Sequence, residues 1–512
     1  MSTKKILAVL LALFVLATAV SGCGNSGSSS ADSQSGSSAT SENSASTEDT
    51  ASTDGEVPTI SLMVVCGTTP PDADAVAEKL SEITREKIGC NVEFITMEIG
   101  NVAQQLNLLL SGGDDTLDVF MAGISVPYST IVNNGQALSL DTLMEPYAEE
   151  VKTALGEKVY ESGRVNGELY GIGRLLDQAS TTCYNLRNDI AEEFGYKNGD
   201  KVDLAELTEL FGKVREKYPD TPLIGPMNGV PSIGDSRIDS LGNKLGVLDN
   251  YGQDTTVTNY YESAGYEELV GYFKQWKEMG CYMADILNVT DAPIDYIPSG
   301  KAFGCFASHF SAEMNGIWSS QNFGTDIASL QIYEDAVAIT PGAYECINPA
   351  TKNPEAAAAL IYLMATDPDV ENLLINGIEG QHYQVLEDNT ATYVDGKDIS
   401  TTGWCLGYSW TALNSTISIP FEYPADYYDR MLAANKNAQQ SKAFGCQFDL
   451  TGVSDAVSAC TNVVNQYENA LSGGAVEDFD ATLAQFQQGL RDAGIDEIIA
   501  AKQEQLDAFL AG

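Results

Sequence analysis

The sequence predicts an α/β protein built from two lobes. Three short, β-branched runs lie between Thr59 and Met121, and two stretches with helical spacing separate them. This order is typical of a parallel sheet with right-handed crossover helices. About 455 residues follow the leader, which is too many for one hydrophobic core, so the length favours two lobes.

The elements of the first lobe follow in order. Residues 59–66 predict a strand, and Asp72 can cap the helix after it, in which apolar residues recur at helical spacing. The next elements are a strand at 91–97, a helix at 101–110 and a strand at 117–121. Ligands bind beyond the carboxyl ends of such strands, which makes Thr68 and Ser125 candidate ligand-binding residues. The alternative is that both lie in ordinary loops.

The later chain is expected to be richer in helix. Residues 203–279 predict mostly helix, with a loop at 222–235 that contains Gly and Pro. From residue 466 onward, apolar residues at helical spacing form amphipathic stripes, which we expect to pack rather than to bind a partner. Trp276, inside a helical stretch, is expected in the core.

Residues 1–22 predict a secretory signal peptide. Lys4 and Lys5 precede an apolar run from Ile6 to Val20, which is shorter than the roughly 20 residues of a membrane-spanning helix. The run ends in Val-Ser-Gly-Cys23, which resembles the lipobox of bacterial lipoproteins. That resemblance implies that Cys23 is lipidated, with fatty acids such as palmitate, and anchors the chain to the outer face of the cell membrane. The alternative is a signal peptide that ends near a cysteine by chance.

Residues 23–57 predict a disordered tether. They are rich in Ser, Thr, Ala and Gly and contain no aromatic residue, so they bury too little surface to offset chain entropy.

The charge excludes one class of partner. The formal net charge is −45 with 72 acidic and 27 basic residues, and the isoelectric point is about 4.1. Such a chain has no basic surface for nucleic acid, and it disfavours anionic ligands. Acidity also keeps an exported protein soluble, which is the simpler interpretation. The ten cysteines include no CxxC spacing, so we expect buried thiols rather than disulfides or a metal site.

Several motifs resemble extracellular solute-binding proteins of family 1, the substrate receptors of sugar importers, in a Firmicutes-type subgroup with an additional C-terminal domain. They occur in the family's order: LSGGDD at 110–115 before DVF, NGELYGI at 166–172 with Gly173 where proline is usual, YNLRNDI at 184–190, SGKAFG at 299–304, NPEAA at 353–357, GIEGQHY at 377–383 and AFGCQFD at 443–449.

The resemblance implies a two-lobed periplasmic-binding-protein-like fold of type II, with the lobes joined by a hinge. Residues 166–190 would make the first crossing between lobes. The chain then divides as follows: first lobe 58–172, second lobe 173–330, first lobe and hinge 331–400, and second lobe and hinge with terminal helices 401–512.

Catalytic patterns are missing from the sequence. Only His309 and His382 are available, and no GxSxG, HExxH or P-loop occurs. Paired carboxylates remain the one enzymatic option, as in a glycoside hydrolase, but 72 acidic residues make such pairs uninformative. Glu379 and His382 lie in a glycine-rich motif that favours a tight turn and a structural role.

Aromatic residues supply the candidate sugar-binding faces. Trp404, Tyr408 and Trp410 lie among glycines, and Trp318 is a further candidate. The polar candidates are Arg174 and Asp177, just past the predicted crossing, and His309, beyond Phe306. The alternative for each tryptophan is packing in the core, and for each charged residue a surface or ion-pair role.

The sequence therefore predicts a monomeric, non-enzymatic substrate-binding component of an ABC importer, which captures a sugar or oligosaccharide and delivers it to the permease without any cofactor. The alternatives are a lipoprotein that binds peptides or another small solute, a ligand sensor, and a carboxylate-based glycoside hydrolase.

Overall fold

The computed structural model describes residues 57–111, 116–124, 126–176, 178–227, 233–289, 291–333, 335–404 and 410–511. The predicted signal peptide, the tether and Cys23 lie outside these ranges.

The first lobe begins with the predicted alternation of strands and helices. Its elements up to the first crossing are β1 (Thr59–Cys66), α1 (Ala73–Lys87), β2 (Asn91–Glu98), α2 (Val102–Ser111), β3 (Val119–Ala122), α3 (Tyr128–Asn133), α4 (Asp141–Met144), α5 (Ala148–Leu155), α6 (Glu157–Glu161), β4 (Arg164–Val165), β5 (Glu168–Leu169) and β6 (Gly171–Gly173). The strand and helix order predicted for residues 59–122 is confirmed.

A five-stranded sheet in the order β2-β1-β3-β11-β6 forms the centre of this lobe. β1 pairs in parallel with β2 along its whole length, and β3 lies on the other side of β1. β1 is apolar at nearly every position because both faces of the sheet are covered. Leu62 and Val119 face one buried cluster, whereas Met63 and Phe120 face another.

The second lobe contains a three-stranded antiparallel sheet in the order β8-β7-β9. Its elements are β7 (Thr181–Arg187), α7 (Asn188–Glu193), α8 (Leu204–Lys217), α9 (Asp249–Gly252), α10 (Ala264–Glu278), α11 (Pro293–Tyr296), β8 (Gly304–His309), α12 (Ala312–Phe323) and β9 (Ile327–Gln331). Trp276 is fully buried in this lobe and donates from Nε1 to Oγ1 of Thr208 at 2.9 Å, as expected for a core residue.

The chain then returns to the first lobe and crosses once more. The remaining elements are β10 (Val337–Ala338), β11 (Tyr344–Ile347), α13 (Pro354–Thr366), α14 (Pro368–Asn376), β12 (Tyr383–Val385), β13 (Ala391–Tyr393), α15 (Tyr427–Asn437), β14 (Gln439–Gln440), α16 (Ser454–Ser472), α17 (Phe479–Asp492) and α18 (Ile495–Ala511). α13 begins at Pro354, the first helical position, where a missing N–H is harmless.

The three terminal helices complete the second lobe. Phe486, Leu490 and Ile498 are fully buried in one cluster with Phe211 and Trp276 of α8 and α10. The amphipathic stripes predicted from residue 466 onward therefore pack inside the molecule, as expected.

Three crossing segments join the lobes: residues 174–180, 332–343 and 424–441. They are bonded to one another, since Ala179 bridges Ala338 and β10 pairs in parallel with β14. The side chain of Asn435 accepts from the backbone N–H groups of Gln178 (2.9 Å) and Ala179 (3.2 Å) and donates to the carbonyl oxygen of Leu176 (2.8 Å). We call this set of contacts the hinge.

Two expectations about the chain differ from what is observed. The helical pattern predicted for residues 203–279 holds for α8 and α10, but most of the chain between them is irregular and is paired only by isolated bridges, such as Asp239 with Leu248. In addition, Leu413 and Trp404 pack in clusters of the first lobe, so the chain leaves that lobe near residue 424 rather than near 401.

Within the described ranges, none of the helices combines the length and hydropathy that a bilayer crossing demands. The eight cysteines of these ranges are buried free thiols, as the sequence predicts.

Candidate functional site

The first lobe turns one edge of its sheet toward the hinge. β3 and β6 both run antiparallel to β11 and are therefore parallel to each other, and β1 is parallel to β3. β6 leads straight into the first crossing segment. The carboxyl ends of all these strands consequently lie at the hinge side, as in other parallel sheets that bind ligands there. We call the loops at this end, residues 67–69, 99–101, 123–124 and 174, the first cleft edge.

The second lobe turns the corresponding end of its own sheet toward the hinge. β7 starts directly after the first crossing segment, and its first residue, Thr181, pairs with His309, the last residue of β8. Cys183 pairs with Gln331, the last residue of β9, from which the second crossing segment leaves. We call residues 181–182, 308–309 and 331–333 the second cleft edge. The two cleft edges together form the candidate ligand site.

Two predicted residues lie on the first cleft edge with access to solvent. Thr68 is exposed in the loop after β1. Trp410 is half-buried against the cluster that contains Val65 and Ile124. The next residue, Thr411, fixes this segment to β1, because its Oγ1 accepts from the N–H of Val65 at 3.1 Å.

Arg174 also lies on the first cleft edge, but it is buried, with 2% of its surface exposed. Its Nε donates to the carbonyl oxygen of Ala412 at 2.6 Å, and its Nη1 lies 3.9 Å from Sδ of Met121. These contacts hold the segment containing Thr411 against the start of the hinge. The structure thus gives Arg174 a positioning role and no open face for a ligand.

Two buried carboxyl groups accompany Arg174. Glu345 and Glu371 are fully buried, and burial raises the pKa of each to about 8, opposed by the nearby Arg174 guanidinium. Neither oxygen of Glu345 has a hydrogen-bond partner among the described residues, whereas Glu371 accepts from the N–H of Leu413 at 3.1 Å. Both carboxyls are therefore largely protonated at neutral pH.

His309 lies on the second cleft edge as an uncharged ring. Burial lowers its pKa to about 4, so the imidazole is neutral at physiological pH. Its Nδ1 has no hydrogen-bond partner among the described residues. The ring packs against Phe310, with centroids 4.6 Å apart, and lies 6.4 Å from that of Tyr427.

The sequence analysis did not identify the aromatic residues that lie beside His309. Tyr427 starts α15, contacts Phe310 with an edge-to-face geometry at 5.2 Å, and stacks on Tyr423 with centroids 4.1 Å apart. Tyr427 belongs to the third crossing segment and Tyr423 directly precedes it, so this part of the chain brings aromatic faces to the second cleft edge. Three tyrosines within six residues, Tyr423, Tyr427 and Tyr428, are the one signal in the sequence that could have indicated an aromatic cluster here.

Two tryptophans that the sequence suggested as ligand-binding residues pack inside the lobes instead. Trp404 is 4% exposed, packs against Phe94 in the core of the first lobe and donates to the carbonyl oxygen of Leu374 at 3.3 Å. No face of its ring is free for a ligand. Trp318 lies in α12 and packs with Phe323 and Ile327, near the end of the second sheet that is remote from the hinge. The packing alternative therefore describes both.

The other predicted positions, Tyr408, Asp177, Ser125 and the lipidation site Cys23, lie outside the described residues.

The motif GIEGQHY forms a turn that is fastened to the first lobe. His382 is fully buried, accepts the N–H of Ile378 at its Nδ1 (2.8 Å), and contacts Asp72 through Nε2 at 3.0 Å. Burial lowers the pKa of His382, and its hydrogen bond lowers that of Asp72. Asp72 precedes α1 as expected, but its carboxylate binds His382 and Gln381 rather than capping the helix. Both side chains therefore have structural roles.

No group of three or more His, Cys, Asp or Glu side chains is placed to hold a metal ion in the described part of the chain.

Comparison with known proteins matches nearly the whole chain. Residues 442–511 match a family model described as a domain of unknown function, DUF3502. A carbohydrate ABC transporter substrate-binding protein of Streptococcus pneumoniae serotype 4 (strain ATCC BAA-334 / TIGR4) is 23% identical over 474 residues, which cover 90% of this chain and 92% of that protein.

Solved structures share the fold. The N-glycan transport solute-binding protein NgtS from Streptococcus pneumoniae is 20% identical, with a TM-score of 0.76 over 89% of this chain and 99% of that one. An extracellular solute-binding protein from Bifidobacterium longum subsp. infantis is 16% identical, with a TM-score of 0.60 over 90% of this chain and 99% of that one. The two-lobed fold and the resemblance to solute-binding proteins are thereby confirmed, and these relatives are binding components rather than enzymes.

Proposed function

We propose that this chain is the membrane-anchored, extracellular substrate-binding component of an ABC importer. It captures a sugar or oligosaccharide between its lobes and delivers the ligand to the permease without making or breaking bonds. The observation that carries this proposal is the pair of cleft edges, which the topology places on the two sides of a three-segment hinge.

The relatives support the importer role. The Streptococcus pneumoniae relative is described as a carbohydrate ABC transporter substrate-binding protein, and NgtS as an N-glycan transport protein. The two alignments cover 90% and 89% of this chain. Two relatives that handle carbohydrate favour a sugar here over a peptide.

The side chains at the cleft edges support a sugar as the ligand. Sugar rings pack their C–H faces against aromatic rings. Trp410, on the first cleft edge, and Tyr427, beside His309 of the second, offer partly exposed aromatic surface. Hinge closure would bring these surfaces onto one ligand. The ligand shifts the population toward the closed form only through contacts that the open form lacks.

Titration with a panel of oligosaccharides tests this function, with intrinsic tryptophan fluorescence and the melting temperature as readouts. We expect at least one glycan to change both signals, and Trp410→Ala to weaken its binding roughly tenfold or more, since a stacked aromatic face is lost. Trp318→Ala is the matched control, because it removes a half-buried tryptophan remote from the hinge and should leave affinity unchanged. A response to peptides or amines, with none to any glycan, would contradict the sugar assignment.

The anchor is the second part of the proposal. Cys23 closes a lipobox-like sequence, and acylation at more than one position satisfies the requirement of stable membrane attachment. A tether of this kind keeps a monomeric receptor at high local concentration beside its importer. We expect Cys23→Ser to bind glycan normally in solution and to support uptake poorly in cells. Uptake equal to that of the parent chain would show that lipidation at Cys23 is not needed for uptake.

A further inference from the structure

The charge distribution around the cleft edges indicates which sugars can enter. The cleft edges and the first two crossings, taken with a few neighbouring positions of the sequence, fall within residues 67–72, 98–101, 123–127, 174–182, 308–311 and 331–343. In the sequence of these segments, Arg174 is the only lysine or arginine, and this holds for every position in them. The same segments contain several carboxylates.

The cationic group of Arg174 is not available to an anionic ligand. The side chain is buried, and its donors are directed at the carbonyl oxygen of Ala412 and toward the sulfur of Met121. Two buried carboxyl groups, Glu345 and Glu371, lie close enough to feel its charge. Moving this guanidinium toward a ligand would leave the carbonyl oxygen of Ala412 without its buried donor, which costs free energy.

The cations that follow next along the chain are already paired with carboxylates. Arg237 binds both oxygens of Asp235, at 2.8 and 2.9 Å, and lies over the ring of Tyr333. Arg430 contacts Asp426 at 2.8 Å and Glu313 at 3.1 Å. Both ion pairs leave a net negative or neutral surface.

The third crossing segment has one more cation, Lys436. It lies nine residues beyond Tyr427 in α15, roughly 13 Å along the helix axis. There it lines a groove of about 320 Å³ together with Leu155, Glu157 and Lys158 of the first lobe. The groove is also lined by Leu175 and Gln178 of the first crossing segment, and none of its lining residues belongs to the two cleft edges.

Among the described residues, the side chains that reach the cleft edges are neutral or acidic, or are cations with partners. Arg237, over Tyr333, is paired with Asp235, and Lys201, whose backbone bridges Gln331, is not without a partner either. His309 is uncharged at physiological pH because its ring is buried. Thr68 and Trp410 are neutral, Glu98 ends β2 at the first edge, and Asp335 is exposed beside the second. A carboxylated or sulfated sugar would therefore meet carboxylates without a free cation to compensate them, which costs binding free energy.

We propose that the cleft is selective for uncharged oligosaccharides and excludes glycans that contain carboxylate or sulfate groups. This inference rests on the proposed sugar-binding function and specifies its substrate class. Recognition would come from aromatic stacking and neutral hydroxyl and amide groups, and the acidic edges would reject uronic acids and sialylated chains.

The test compares each neutral ligand with its own acidic derivative. Neutral oligosaccharides, including Man5GlcNAc and kestose, are screened by calorimetry, and every binder is oxidised selectively at its primary hydroxyls to the C6 carboxylate. We expect the carboxylated form to bind roughly tenfold or more weakly at low salt, and the difference to shrink at high salt because the repulsion is screened. Alginate and galacturonate oligosaccharides should not bind.

A charge-change variant separates repulsion from a steric effect of the new carboxylate. Thr68→Lys places a cation on the first cleft edge and should narrow the difference between the two forms, whereas Thr68→Gln, a neutral side chain of similar reach, should not. Equal or tighter binding of the carboxylated form to the parent chain would overturn the inference while leaving the sugar-binding function in place. Failure of all neutral and acidic saccharides to bind would overturn both.

Discussion

Arg174, Glu345 and Glu371 form a group of ionisable side chains buried at the start of the hinge. Arg174 was a candidate for binding a ligand because of its position after the NGELYGI motif, and the position is correct. Arg174 does not face a ligand because other elements pack around it. β11 places Glu345 beside it from the far half of the chain, and α14 places Glu371 there. Long-range neighbours of this kind leave no trace in the local sequence.

Glu345 should make the stability of the protein depend on pH. Its folded pKa is raised from 4.5 to about 8 by burial, so the folded state holds a proton that the unfolded state releases. The stabilisation that this protonated carboxyl contributes is therefore fully present below about pH 4.5 and is lost as the pH rises toward 8. Glu345→Gln mimics the protonated acid at every pH. We expect it to raise the free energy of unfolding by about 3–4 kcal/mol more at pH 8 than at pH 5, where the effect should stay below about 1 kcal/mol.

Urea unfolding of purified protein at pH 5 and pH 8 measures this difference. The matched control is Glu355→Gln, which alters an exposed carboxylate at the start of α13 and should behave alike at both pH values. An equal effect of Glu345→Gln at pH 5 and pH 8 would show that Glu345 is ionised in the folded protein.

Other single residues show where sequence patterns stop being informative. Asp72 precedes α1, as a capping residue should, yet its carboxylate binds His382, which comes from 310 residues further along the chain. Trp404 lies among glycines, a context suited to a ligand-binding loop, and is nevertheless buried against Phe94. In both cases a distant partner competes successfully with the local role, and only the folded arrangement reveals that partner.

At the scale of elements, the C-terminal helices contribute to the second lobe through both apolar and polar contacts. α18 places Lys502, which is fully buried, against the irregular segment before α9. Its Nζ donates to the carbonyl oxygens of Leu241 (3.0 Å) and Gly246 (3.1 Å) and to Oδ1 of Asn243 (2.8 Å). This single side chain therefore organises a loop that has little regular structure of its own.

Lys502→Met should detach this loop from α18. Three acceptors would lose their buried donor, and Asp239, whose pKa is already raised by burial, would lose its nearest cation. We expect the free energy of unfolding to fall by about 2–4 kcal/mol at pH 7, because buried acceptors are left unpaired. Urea unfolding measures this loss of free energy, and the amides of residues 239–248 should exchange hydrogen faster.

The control for this variant is Lys274→Met, which removes an exposed ion pair with Asp480 and should cost less than about 1 kcal/mol. Similar losses in the two variants would mean that the acceptors around Lys502 find other donors, such as water.

Regular elements were predicted well where local signals determine them. β1 has the bounds expected from its β-branched run, and α13 begins at the proline that the motif indicates. The chain between α8 and α10 was expected to be helical because its apolar residues are spaced suitably, but Lys502 and the buried side chains of α17 and α18 impose an irregular path. Periodicity cannot register contacts that come from the end of the chain.

At the scale of the whole molecule, the sequence predicted two lobes from length and the type of fold from a series of motifs in family order. It did not predict where the third crossing lies, because residues 401–424 have no periodic pattern. Long-range contacts hold the chain before the crossing in the first lobe, such as the hydrogen bond from the N–H of Leu413 to Glu371. The aromatic residues of that crossing were missed for the same reason. The candidate site therefore needed the strand topology, which shows which loop ends meet at the hinge.

Asn435 is the side chain that joins the first and third crossing segments. Its Oδ1 accepts from the N–H groups of Gln178 and Ala179, and its Nδ2 donates to the carbonyl oxygen of Leu176. These three hydrogen bonds couple the first crossing segment to α15, so we expect the two segments to move together if the lobes close. Without them, the first crossing could fluctuate independently of α15.

Asn435→Ala should leave three backbone groups without their partner, at a cost of about 1–3 kcal/mol to the local opening equilibrium. We expect the amides of residues 178–180 to exchange hydrogen roughly tenfold faster or more, while those of β1 and β7 remain protected. Glycan affinity should fall as well, since binding must then order the hinge. Asn437→Ala, at an exposed position on the same helix, should change neither quantity. Faster exchange without any loss of affinity would show that the crossings are coupled elsewhere, through the pairing of β10 with β14.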